Sequence, residues 1–398
     1  MRFHKFTAVL LTVSGLCSCG SSVPVPPPGE SETSGGESVT MYIQEVGQLY
    51  PGETAETGAK SYTPLNYSNQ IGIWYPYMDY GEYMQGKSAD EFRAAVNERF
   101  SSAKNDGINT LYIHIRPNGE VYYDSKIFPK GTYLDGDYDP LQIMIEEAHS
   151  LGLSVHGWIN PLRCQTKEQL EKTDSNFIIK QWAETEACDN VRLVGNRYYL
   201  NPASDEALQL VFDSVTEIVK NYEVDGIHID DYFYPTTDES FDAARFAASG
   251  GTDLSAYRLE RCSKMVHGIF EAVKRADDRL LFGISPQGNI NADYSSQYAD
   301  VRLWGSCIGY CDYLVPQIYF GFENSTCPFE KTLREWESLV SCENVSLVIG
   351  LAAYKQGAED KWAGEAGELE WVRDSTVIQR QIELVTASDN AAGYALYY

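Results

Sequence analysis

From about residue 70 the chain alternates between two hydrophobic patterns. Short apolar runs at 71–74, 110–116, 154–159, 281–285, 313–318, 347–352 and 393–396 have the length and β-branched content of strands. A further strand falls in Val224-Asp225-Gly226-Ile227-His228-Ile229-Asp230-Asp231, where Ile227 and Ile229 alternate with His228 and Asp230. Between the strands lie stretches of helical period. Ser88-Ala89-Asp90-Glu91 is a capping box that opens a helix ending near Gly107. Asp139-Pro140 supplies an N-cap and a first-turn proline, and Gly152 closes that helix. Further helices are predicted over 205–222, 255–277, 298–309, 330–341 and 375–387, with a long excursion between Asn160-Pro161 and Asn201-Pro202. Eight strands alternating with helices predict α/β architecture, a closed (β/α)₈ TIM-like barrel over 70–398. The chain reaches the eighth strand without a last outer helix, so the N-terminal extension, 41–69, is expected to cover that side.

The first residues change the picture of where such a barrel works. Arg2 and Lys5 precede an apolar core at 8–16 and then Leu16-Cys17-Ser18-Cys19, a lipoprotein-type cleavage site. Ser18 is the small residue such processing needs, so Cys19 is the expected lipidation site and 1–19 the signal segment. The apolar core is too short for a permanent span. Residues 20–40, rich in Pro, Ser, Gly and Glu, read as a disordered tether. A bacterial cell-envelope protein held at a membrane by its N-terminal lipid follows. Net charge is −26, which argues against nucleic acid and anionic surfaces as partners. Seven of the nine cysteines lie beyond Cys19, an odd number that excludes complete pairing.

Chemistry concentrates at the strand ends, where barrel side chains converge on one mouth. Asp230 and Asp231 end the fourth strand; capping a loop or binding an arginine is their bland alternative. Side-chain alternation places Tyr112, His114 and Arg116 on one face, His156, Trp158 and Asn160 on the next, and His228, Asp230 and Tyr232 on a third. The fifth strand runs into Gln287 and Asn289, the sixth through Gln317 and Tyr319. Carboxylates, amides and aromatic faces together suit a neutral polyhydroxylated ligand, and the 28 tyrosines are compatible with sugar stacking. His114, His156 and His228 invite a metal reading, but no His-x-His occurs and each sits two residues below the strand's terminal polar residue. A hydrogen-bonding layer supporting the acids is the plainer expectation, with no metal and no cofactor.

These motifs, taken in order, resemble a bacterial glycosyl-hydrolase-like family related to family 10. The likeness covers about 71–398. It rests on Ile115-Arg116-Pro117, His156-Gly157-Trp158-Ile159-Asn160-Pro161, Leu200-Asn201-Pro202, the stretch from Asp225 to Pro235, Ile284-Ser285-Pro286 and Asp312-Tyr313-Leu314-Val315-Pro316-Gln317-Ile318-Tyr319. The resemblance implies a TIM-like barrel and carbohydrate hydrolysis. It brings Asn201, Tyr234 and Arg258 into the expected substrate-binding set, where Trp304 also stands. The family's usual Trp-Arg-Arg appears as Tyr257-Arg258-Leu259, so only Arg258 carries over. Chitinases are a more distant analogy, with Tyr232 where they place their acid; barrels that cleave partly deacetylated poly-N-acetylglucosamine are nearer, because they too end this strand in Asp-Asp.

The reading is therefore a glycoside hydrolase acting on a cell-wall or extracellular polysaccharide. Asp230 is expected as nucleophile or charge stabiliser and Asp231 as acid/base, with Arg116 and His228 setting which one holds the proton. No second carboxylate is evident on another strand. Glu120 and Glu323 lie in loops, which tilts the mechanism toward assistance by a substrate N-acetyl group. A non-catalytic glycan-binding lipoprotein and a metal-dependent hydrolase are the alternatives.

Overall fold

A computed structural model describes residues 62–398. The signal segment, the tether, Cys19 and most of the extension lie outside the described residues. One parallel sheet holds β1 (Gln70–Tyr75), β2 (Thr110–Arg116), β3 (Ser154–Ile159), β7 (Gly226–Ile229), β8 (Leu281–Ile284), β9 (Tyr313–Leu314), β10 (Ser346–Leu347), β11 (Ile349–Ala352) and β12 (Gly393–Tyr397). Their order is β10-β9-β8-β7-β3-β2-β1-β12-β11. The two end strands are one run of chain interrupted at Val348. Ser346 and Leu347 pair with β9, while Ile349 to Ala352 pair with β12. Across the seam Val348 N–H donates to Leu314 O (2.8 Å) and Gly350 N–H to Pro316 O (2.9 Å), so the sheet comes round on itself as a TIM-like barrel.

The predicted strands at 110–116 and 154–159 coincide with β2 and β3. The sixth is shorter than its apolar run because Pro316 has no N–H to give the ladder. The helices Ala89–Asn105, Pro140–Ser150, Asp205–Asn221, Leu254–Ala276, Phe329–Leu339 and Val377–Thr386 fall where the period placed them. Both predicted caps form: Ser88 and Glu91 cap reciprocally, and Asp139 accepts from Gln142 N–H. The helix expected over 298–309 is only Val301–Ser306, since Tyr298 takes the left-handed conformation (φ 53°) and Asp300 caps a fresh start. The excursion after β3 is an antiparallel sheet of β4 (Arg163–Thr166), β5 (Val191–Val194) and β6 (Arg197–Leu200), with two short helices. Arg197 to Asn118 Oδ1 (3.0 Å) and Gln165 to Gly119 O (2.8 Å) bind it to the loop after β2.

The expected cover of the β12 side by the extension falls mostly outside the described residues, and the described part, 62–69, lies elsewhere. It crosses the barrel floor instead. There the buried Asp225 carboxylate accepts from Tyr62 hydroxyl, Leu65 N–H (2.6 Å) and Val155 N–H (2.6 Å), and pairs with His149 Nε2 at 3.0 Å. Among the described residues no helix is long and apolar enough to cross a membrane, and the seven cysteines are free.

The barrel interior is filled by rings that lie over glycines. A Cβ on Gly283 would stand 1.8 Å from Tyr313 Cζ, one on Gly72 2.6 Å from Tyr112 Cε2, and one on Gly226 2.9 Å from His156 Nδ1. Tyr112 in turn stacks on His228 with centroids 4.3 Å apart. Gly283→Ala should therefore cost about 3 kcal/mol or more, at the upper end of overpacking, read as a lower urea midpoint with unchanged slope. A loss below about 1 kcal/mol would show that the ring layer can yield.

Candidate active site

The floor of the mouth is a chain of hydrogen bonds whose direction is fixed by its first member. Trp74 Nε1 can only donate, and it faces His228 Nε2 at 3.2 Å. A neutral His228 then carries its proton on Nδ1 and gives it to Tyr313 Oη (3.2 Å). Tyr313 O–H is left to donate to His156 Nδ1 at 2.6 Å. Burial keeps both rings neutral, His156 pushed down to about 4 and His228 well below the usual histidine range. Both nitrogens of His228 are thus occupied. Neither His156 nor His228 bonds an acid, so their expected role beneath the carboxylates is corrected to one in the core. His114 differs: it lies flat on Trp158 with centroids 3.6 Å apart. Trp158 then donates to Asn160 Oδ1 (3.1 Å) and presents its indole to Asp230.

Asp230, immediately past β7, is buried, and Asp231 beside it is partly exposed. Burial first, and the neighbouring Asp231 charge second, raise Asp230 well above the usual carboxylate range. Burial raises Asp231 as well, against the pull of side-chain amides from Gln317 and Gln297. Arg163 of β4 acts on both carboxylates and lies over the Tyr232 ring, 4.5 Å from its centroid. Two adjacent carboxyls that resist ionising together can hold one proton between them at neutral pH. Tyr319 and Tyr397, stacked at 6.2 Å, feel the Asp230 charge from the opposite wall.

The structure thus gathers Asp230, Asp231, Trp158, Tyr232, Gln317 and Tyr319 at one mouth. Gln287 bridges to Gln317 through the backbone. Other expected ligands of the substrate are placed elsewhere. Arg116 is fully buried, over Phe128 and 3.4 Å from Pro161 O. Asn160 is sealed between Trp158 and Pro117 O. Asn201 holds a turn through Ala203 N–H and Asp189 O, and Asn289 caps the turn at Asn291. Arg258 is buried in a paired contact with Asp242 (2.6 and 3.0 Å), which also takes the Tyr234 hydroxyl at 2.8 Å. Trp304 is buried on Phe233 and donates to Ser263. These side chains lock the loops behind the mouth and do not line it. The sequence reading missed Arg163, Gln297 and Tyr397. The two acids that might have opposed the pair are engaged: Glu120 is buried on Thr132 (2.8 Å), and Glu323 pairs with Arg373 (2.7 Å).

Comparison with known proteins places this geometry. The glycosyl hydrolase-like 10 family model matches residues 72–364. Glycosyl hydrolase YngK of Bacillus subtilis is 31% identical over 333 aligned positions, which take in 76% of this chain and 64% of that protein. The chain therefore spans less than two thirds of that relative's length. Glycosyl hydrolase DigH of Escherichia coli K12 is 29% identical, over 76% of this chain and 74% of its own. Among solved structures, the PgaB (BpsB) glycoside hydrolase domain of Bordetella bronchiseptica superposes with a TM-score of 0.53 at 12% identity, covering 84% of this chain and 94% of that one. Alpha-L-fucosidase isoenzyme 2 of Paenibacillus thiaminolyticus gives 0.52 at 16%, over 83% and 46%. These two likenesses show the TIM-like barrel fold, and the chain belongs to the glycosyl hydrolase-like 10 family.

Proposed function

We propose that the protein hydrolyses glycosidic bonds of a polysaccharide, with Asp230 and Asp231 as its catalytic carboxylates. The observation that carries this is the pair itself: two adjacent carboxyls, both raised by burial, at the carboxyl end of a barrel strand between aromatic walls. Stability alone does not favour such a pair, because desolvating either charge costs several kcal/mol. The relatives named glycosyl hydrolase support the reaction class.

The sequence reading gave the proton to Asp231. The burial depths favour the reverse. Asp230, the deeper group, is the one that keeps a proton and donates it to the leaving oxygen. Asp231, held by two amides and Arg163, is the charge that steadies the oxocarbenium-like centre. Partial burial raises Asp79, past β1, which lies in the field of Arg99 and Glu82 and itself acts on Tyr397. Glu120 and Glu323 are engaged elsewhere, and Asp293, which stands in the field of Asp231, is buried with Gln287 N–H on one oxygen (3.1 Å); this scarcity of free acids favours a substrate N-acetyl group as internal nucleophile. The same scarcity favours the second reading, a glycan-binding protein without turnover. Export and anchoring through Cys19 belong to the proposal too, on the strength of the basic head, apolar core and Ser18-Cys19 site.

Reducing-end release from a panel of cell-wall and extracellular polysaccharides tests the activity. Asp230→Asn should lower kcat about a hundredfold or more, the size of losing one placed transition-state group; retention of a tenth of the activity would remove Asp230 from the role. The same variant should gain stability at neutral pH. A raised folded pKa means that ionisation weakens the native state as pH climbs from the unfolded value, near 3.9. The gain in Tm should therefore be present at pH 7.5 and fade toward pH 4. Asp231→Asn should erase the acid limb of the pH–rate profile. It should also move the basic limb to lower pH, since it deletes a charge that holds Asp230 up. An unchanged profile would sink the assignment. Finally, Cys19→Ser should move the protein from the membrane to the soluble fraction of lysed cells; a wild type already soluble would contradict the anchor.

A further inference from the structure

Trp362 is 83% exposed, where the other six tryptophans are buried or partly buried. It sits in the connection from β11 to β12, at the carboxyl ends of the strands and so on the face that carries Asp230. The segment that holds it is built to be firm. Asp360 is buried, takes Lys355 Nζ at 2.7 Å and meets Trp362 N–H at 3.3 Å. Lys355 Nζ also donates to Tyr319 O (2.8 Å), and Ser325 N–H reaches Ala363 O (2.8 Å). The same connection supplies Tyr354, 48% exposed, whose ring meets Tyr397 edge-on at 5.8 Å and Tyr319 at 6.1 Å. Those two rings, like Tyr232, stand in the field of Asp230. Aromatic surface thus continues from the acid pair, through Tyr397 and Tyr319, to Tyr354 and the segment that presents Trp362. A large ring left in water on a firm loop is surface that folding has not used, available for a flat apolar partner. Asp360 and Lys355 pair with each other, and among the other charged residues near Trp362 in sequence the carboxylates of Glu359, Glu365 and Glu368 outnumber Lys361, which disfavours a polyanion.

We infer that Tyr354 and Trp362 form a remote sugar-binding subsite, so that the mouth grips a chain of neutral sugar rings at several units rather than at the cleaved bond alone. This rests on the hydrolase reading. The rings would cover the C–H faces of sugars two or more units from the acid pair, which adds affinity for polymers over short oligosaccharides.

The test uses the full chain with glycol chitin as polymer and chitotriose as short probe. Trp362→Ala should lower the ratio of kcat/KM on polymer to that on trimer about tenfold, the size of one aromatic stacking contact. Trp362→Phe should restore most of it, which a merely structural loss would not. A ratio unchanged by Trp362→Ala would overturn the subsite. Electrophoresis through gels containing glycol chitin, in the Asp230→Asn background, reads binding without turnover. Loss of retardation on adding Trp362→Ala supports the subsite; equal migration with and without Trp362→Ala overturns it. If wild type cleaves neither probe, the hydrolase reading fails for this class of glycan, while the gel still decides the subsite.

Discussion

Everything in this barrel depends on rings being laid over glycines. Gly72, Gly226 and Gly283 leave room for Tyr112, His156 and Tyr313 to cross the interior, where strand residues of ordinary size would meet them head-on. The space so made is filled by polar aromatics, which is costly unless each polar atom finds a partner. The run from Trp74 through His228 and Tyr313 to His156 answers that cost with one direction of donation along its whole length. A set of neutral, mutually oriented rings cannot shift by small steps. It gives the strand ends above it a rigid base.

On that base stands a pair of carboxyls that the fold does little to stabilise. Burial opposes their ionisation, and most of the compensation comes from outside the barrel strands, from Gln297 and Gln317 in loops and Arg163 in the inserted sheet, with Trp158 of β3 adding its indole. The loop after β7 is held by a different device. The buried Asp242–Arg258 contact, flanked by Tyr234 and Tyr298 at 5.1 Å from the guanidinium, fixes the chain just beyond the acids. Removing one partner of such a pair leaves a buried charge, typically a loss of about 3–5 kcal/mol. Positioning and chemistry are thus divided between neighbouring residues of one motif.

That division explains what was legible in the sequence. Strands and helices were, because period and caps are local; β2 and β3 match to the residue. The acid pair was legible because two carboxylates at a strand end have little structural excuse. Arg116 was misplaced because residue type at a strand end shows the capacity to bind, not the direction in which a side chain points; Arg258 and Trp304 lie in the helices Leu254–Ala276 and Val301–Ser306, which pack them behind the mouth, Arg258 together with Tyr234 on Asp242. Arg163 was missed because it belongs to a short antiparallel strand with no barrel period. It meets Asp230 only through a fold-back between residues distant in sequence. Tyr397 sits in the last strand, where nothing but closure of the sheet through Val348 brings it opposite the pair.

The Asp225 clamp has a consequence for how the molecule is carried. Asp225 and Asp230 bracket the same strand, about 17 Å apart at the usual rise of an extended chain, the first at the floor and the second at the mouth. Tyr62 and Leu65 are fastened to the first. Whatever grips the polypeptide upstream of Tyr62 therefore pulls on the end of the barrel remote from its opening. Under such a pull the end that carries Asp230 and Asp231 trails outward, like a cup held by its base, and a bulky, immobile partner can meet it without first passing the point of attachment.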